Sequence, residues 1–159
     1  MAMKNLSGIR SHRNTHKKNS RSPYAAMHTG PGRALVAVYG IFALAASVRA
    51  GYQLGTKFDT APLPYTLSAI AAAVYILATV FFVIGNRSTH RLAIAACLFE
   101  FIGVITVGVL SVTHPEIFAD ASVWSRFGQG YGYIPLVLPL VGLWWLFRIG
   151  RPRRQHKPV

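Results

Sequence analysis

Acidic residues are scarce in this chain. Four Asp or Glu stand against seventeen Lys or Arg in 159 residues, for a net charge of +13. With so few carboxylates, no two share a helix face, which excludes a general acid–base pair on one element. There is one cysteine, Cys97, so an intrachain disulfide and a thiolate metal cluster are both excluded. His114 and Glu116 lack the H-E-x-x-H spacing and would need a ligand such as Asp120 from elsewhere, so no metal is expected. Gly128, Gly130 and Gly132 alternate with Gln129, Tyr131 and Tyr133, without the G-x-G-x-x-G or Lys-Ser/Thr context of a phosphate loop. No Ser-His-Asp set has a telling spacing. Neither catalytic residues nor a cofactor are expected.

Charge is also missing from long internal stretches. Leu92–Val112 runs for 21 residues with Glu100 as its only charge. About 20 apolar residues at 1.5 Å each cross a bilayer core. Three further blocks read the same way. Ala34–Gly55 is apolar apart from Arg49, and no charge occurs from Thr60 to Asn86. Phe127–Phe147 is uncharged and carries Pro135 and Pro139, candidate kinks because each removes an intrahelical bond. The expected fold is all-α, a four-transmembrane-helix bundle over residues 34–149. Its spans fall at about 34–55, 64–85, 92–113 and 131–148. The first block has a long basic region before it and further spans after it, so it reads as an uncleaved helix rather than a signal peptide.

The cations are segregated. Residues 1–33 hold seven Lys or Arg, Asn86–Arg91 two, and Arg148–Val159 five, together fourteen of the seventeen. Asp59, Glu116 and Asp120 lie in the alternate loops. The positive-inside rule then puts both termini in the cytoplasm of a cell with this chain in its inner (plasma) membrane. The tails, 1–33 and 150–159, read as disordered segments held to an anionic cytoplasmic leaflet, at about 1 kcal/mol per well-placed cation. Nucleic acid is the disfavoured partner. Asn86–Arg91 reads as a tight loop joining antiparallel spans two and three.

Two charges lie within spans. Glu100 is nine residues past Arg91, about 13–14 Å deep, and Arg49 is fifteen past Ala34, about 22 Å. Long side chains can close the difference if helices one and three touch, so an Arg49–Glu100 ion pair is the economical expectation. A protonated Glu100 bonded to Tyr39, Thr106 or Tyr75, and a Glu100 that couples to protons or substrate, remain as alternatives. Ala96, Cys97, Gly103 and Val104 flank Glu100 with small side chains suited to helix contact.

The segment from Trp124 to Leu146 is the most distinctive. Trp124, Phe127, Tyr131 and Tyr133 suit an interfacial aromatic belt. Trp124, Arg126, Gln129, Tyr131 and Tyr133 form a candidate outer recognition segment for a lipid, a glycan or a partner helix. Asp120 or Ser122 is expected to cap a short surface helix.

His114-Pro115-Glu116, Asp120, Trp124-Ser125, Gly130-Tyr131-Gly132-Tyr133, Pro139 and Trp144-Trp145 resemble the pattern of small integral membrane proteins of actinobacteria. That resemblance implies a bacterial inner membrane and no mechanism. Size and span number also resemble small multidrug-resistance transporters. Those carry their essential carboxylate on the first helix, whereas here it is on the third. The expected role is an accessory or scaffold subunit of a cell-envelope membrane complex, self-associating or joined to a larger membrane protein. A homodimeric proton-coupled transporter using Glu100 is the alternative.

Overall fold

The computed structural model describes residues 30–150. The expected basic tails fall outside the described residues, apart from 30–33 and Gly150; there the expectation is corrected, because Pro31–Arg33 form the first turn of a helix and Gly150 ends one. The described chain is helical, in four α-helices: α1 Pro31–Thr56, α2 Pro62–Ile84, α3 Arg87–Thr113 and α4 Ile134–Gly150. Short 3-10 turns occupy Phe58–Thr60, Pro115–Ile117 and Ser125–Tyr131. α1, α2 and α3 are each long and apolar enough to cross a membrane. α4, with 17 residues, meets that test only together with the Ser125–Tyr131 turn, from which it bends by 97°.

Helix boundaries follow local chemistry. Prolines open α1 and α2, where the missing N–H costs nothing. α2 ends on Gly85 at φ +57°, whose amide donates to the Phe81 carbonyl at 3.2 Å. The next residue, Asn86, starts α3 with a capping box. Its side chain accepts from the Thr89 amide at 2.9 Å, and the Thr89 hydroxyl accepts from the Asn86 amide at 2.9 Å. The expected basic loop Asn86–Arg91 is therefore a correction: Arg87–Arg91 form the first turn and a half of α3. A left-handed glycine followed by a cap makes the reversal in two residues.

α1 packs along α2, α2 against α3, and α3 against α4, with α4 returning to α1. Small side chains allow the first of these contacts. Ala43, Ala46 and Ala50 on α1 and Ser68, Ala71, Ala72 and Ala78 on α2 are all buried. Lipid tails are as apolar as leucine, so close van der Waals packing must hold such helices together. Outside, large apolar side chains stand exposed on every helix, Ile41, Leu44, Val48, Ile102 and Val137 among them. In water such a surface would be an aggregation liability, but against lipid it is solvated.

α4 separates the two prolines expected to kink it. Pro135 is the second residue of α4, in the turn where an amide has no intrahelical acceptor, so it starts the helix rather than kinking it. Pro139 sits inside α4, with Pro135 as the residue whose carbonyl lacks an intrahelical donor.

Candidate functional site

Helix registers bring Glu100 to the middle of the bundle. It is fully buried, and one carboxyl oxygen accepts from the Tyr39 hydroxyl at 2.9 Å. The same hydroxyl meets the Cys97 sulfur at 3.3 Å. Tyr39 stacks on Phe82 with centroids 5.4 Å apart and lies 6.3 Å from Tyr75. Gly142 admits α4 to this cluster, because a Cβ there would sit 3.1 Å from the Cys97 sulfur and 3.4 Å from the Tyr39 oxygen. The other Glu100 oxygen, the Tyr75 hydroxyl and the Trp124 indole nitrogen are buried without hydrogen-bond partners. Tyr75 faces both Glu100 and Trp124, so these three polar atoms are close to closing a chain of their own. Buried polar groups this near to pairing are costly to leave unpaired and constrain which rotamers the core accepts.

The Arg49–Glu100 pair is not formed. Arg49 donates to the Ala121 carbonyl at 2.6 Å and to the Tyr131 hydroxyl at 3.4 Å, with its guanidinium 5.9 Å from the Tyr131 ring centre. Glu100 lies level with Tyr39, ten residues before Arg49 on α1, so helices one and three are not in the register that would close the difference in depth. At 1.5 Å per residue those ten residues span about 15 Å, beyond the reach of the two side chains. The Lys57 ammonium lies 5.8 Å from the Tyr52 ring centre, and the one ion pair among the described residues is His114–Glu116 at 3.0 Å. The Glu116 backbone amide and then His114 hold the Glu116 carboxyl below its ordinary range.

The segment between α3 and α4 forms a cap that reaches into the bundle. Trp124 is 2% exposed and lies on Gly103, while Phe127 lies on Gly108. Glycine is required at both places. A Cβ at Gly103 would come within 2.7 Å of the indole, and one at Gly108 would overlap the Phe127 ring. Trp124 is thus a core side chain, not the interfacial one expected. At the second anchor and either side of it, Arg126, Phe127 and Gly128 are all left-handed, at φ +49°, +60° and +79°. Two non-glycine residues in that region persist only where their surroundings over-determine them. Here the two ring anchors do so, helped by the Arg126 amide, which donates to the Ser111 hydroxyl at 2.7 Å. The expected surface α-helix is replaced by this turn. Asp120 instead accepts from the Ala121 amide at 2.7 Å and from Tyr65 at 3.0 Å, and the Ser122 amide donates to Ser125 at 2.9 Å.

No family model matches this chain, and no curated protein or solved structure matches it significantly. The site must be read from its own chemistry.

The candidate outer segment is therefore divided. Trp124 faces the core, Tyr131 is half-buried against Phe42 and Arg49, and Arg126, Gln129 and Tyr133 are exposed. Arg49, Arg126, Gln129 and Tyr131 help to line a cavity of ≈ 380 Å³ beside the cap. Sequence reasoning missed Gly103 and Gly108 as receptors for the cap. The one available signal was glycines five apart on α3 facing aromatics three apart at 124 and 127. It also missed His90, which at the other end of the bundle meets the Leu146 carbonyl at 2.9 Å and carries a further interaction.

Proposed function

We propose that this chain is a multi-pass plasma-membrane protein with four spans and both termini cytoplasmic, serving as an accessory or scaffold subunit of a cell-envelope membrane complex. One observation carries the accessory reading, namely that the bundle interior is filled. Tyr39, Tyr75, Phe82 and Glu100 are fully buried at its centre, and Trp124 is packed over them at one end. A filled bundle has its surface to offer. Ile41, Leu44 and Val48, the most exposed large apolar side chains, follow one stripe of α1 at spacings of three and four. Such a stripe suits contact with a second membrane protein or another copy of the chain. Purification of the full chain in mild detergent tests this. Stoichiometric recovery of a larger membrane enzyme, lost when Leu44 is changed to Trp, supports the reading. Recovery of a lone monomer opposes it.

The topology rests on the segregation of cations, with fourteen on the side of both tails. The resemblance of the carboxyl half to actinobacterial membrane proteins favours the inner membrane, whose anionic leaflet would attract the tails. Ser122 is buried, so a reporter thiol belongs at Glu116, whose side chain is 67% exposed. In a Cys97→Ser background, Glu116→Cys is expected to react with an impermeant maleimide on intact cells. Labelling only after permeabilisation would reverse the orientation.

A second reading, a proton-coupled homodimeric transporter, draws on the buried Glu100 oxygen that has no partner. It requires substrate flux that Glu100→Gln abolishes. Flux unchanged in that variant removes it.

A further inference from the structure

Two arginines from distant parts of the chain open onto one cavity beside the cap. We propose that this cavity binds the phosphate group of an anionic phospholipid, a site that does not depend on the accessory role.

Arg49 and Arg126 both line the cavity of ≈ 380 Å³, and Asp and Glu are missing from its lining. Among the described residues no carboxylate pairs with either guanidinium. Asp120, the acid next to Ala121, directs its oxygens to Tyr65 and to the Ala121 amide. Arg49 is held by two neutral acceptors, Ala121 and Tyr131, which fix its position without forming an ion pair. Arg126 is exposed on a backbone held left-handed between the Trp124 and Phe127 anchors. Phosphate is the oxyanion that two guanidinium forks bind well, through charge-assisted and often bidentate bonds. An anion between them turns their mutual repulsion into two attractions.

The surroundings choose a lipid as the source. A second cavity of ≈ 400 Å³ shares Ser111, Pro115, Arg126 and Gln129 with the first. It adds Val112, Phe127 and Tyr133, and Val112 and Tyr133 are 58% and 47% exposed. A cationic pocket that continues into an apolar groove fits a phosphodiester with its glycerol and first methylenes. A free phosphate would use the first cavity alone. The leaflet follows the orientation proposed above, but the binding does not.

The test uses the full chain in mild detergent, with thermal unfolding followed while lipid is added. Phosphatidylglycerol should raise the unfolding midpoint, and phosphatidylcholine, whose headgroup has no net charge, should not. Arg126→Gln, an exposed change, should weaken phosphatidylglycerol binding about tenfold, the equivalent of one charge-assisted bond. Gln129→Ala should weaken it less. Lys57→Gln removes a cation at the same end of the bundle but outside both cavities, and should change nothing. A shift by inorganic phosphate that depends on Arg126, with none added by lipid, supports the anion pocket and assigns it to a soluble ligand. Equal shifts from both lipids, or equal losses in Arg126→Gln and Lys57→Gln, overturn the proposal.

Discussion

Replacing Gly103 with Ala drives a methyl into the face of the Trp124 indole. The new carbon would lie 2.7, 2.9 and 3.1 Å from three ring atoms. To reach an ordinary contact of 3.4 Å the ring must retreat by about 0.7 Å, and it is 2% exposed with core on its other side. Overpacking of this kind costs about 1–3 kcal/mol. Trp124→Ala alone should cost about 3–5 kcal/mol, because it empties a core site. In that background the sign of the Gly103 change should reverse. The methyl then enters space the indole has left, and alanine is the better helix former by about 1 kcal/mol. The double-mutant cycle should therefore show a favourable coupling of about 2–4 kcal/mol. Unfolding in mixed micelles, followed by far-ultraviolet circular dichroism, measures all four corners without relying on the deleted fluorophore. A Gly103→Ala cost that is the same with and without Trp124 would refute the reasoning.

Four other outcomes follow from the same geometry. Tyr39→Phe strips the donor from a buried Glu100 oxygen and should cost about 1–3 kcal/mol, much of it recovered when Glu100 is made Leu. Glu100→Gln and Arg49→Gln should instead be additive within about 0.5 kcal/mol in unfolding titrations, and a larger coupling would show that the two groups meet after all. Asn86→Ala removes the cap of α3 and should lower stability by about 0.5–2 kcal/mol, whereas Asn86→Ser should restore most of it. The Glu116 carboxyl, followed by carbon-13 NMR, should titrate below the ordinary glutamate value of 4.5. A depressed folded value means its stabilisation is present above 4.5 and lost as pH falls through the folded midpoint. His114→Ala should raise that midpoint only in part, since the Glu116 backbone amide is the larger cause. A midpoint at or above 4.5 would contradict the geometry.

Much of the architecture was legible in apolar block length. The spans expected near 34–55, 64–85 and 92–113 match α1, α2 and α3 to within a few residues, apart from the first turn of α3. That exception had a readable cause: Gly85, Asn86 and Thr89 spell a left-handed stop followed by a capping box. The candidate site was legible in composition but not in arrangement. Trp124 was noticed for its neighbours and assigned to the interface. It is buried because Gly103, twenty-one residues earlier, leaves room for it. Pro135 and Pro139 look equivalent four residues apart, yet only the second stands beyond the first turn of a helix, because left-handed Gly132 and Tyr133, at φ +63° and +60°, delay the start of α4 to Ile134.

The linear chain alone determined that the described segment is a set of apolar helices separated by polar turns. Length and hydrophobicity suffice for that, since in lipid every backbone amide must find its partner within its own helix. Which side chains meet across helices was decided by tertiary structure alone. A shift of one turn moves a side chain by 5.4 Å, more than a hydrogen bond spans, and no local pattern encodes it. Packing of Tyr39 against Cys97, Phe82 and the bare backbone of Gly142 set that register. It gave Glu100 a tyrosine as its partner and left Arg49 at the cap.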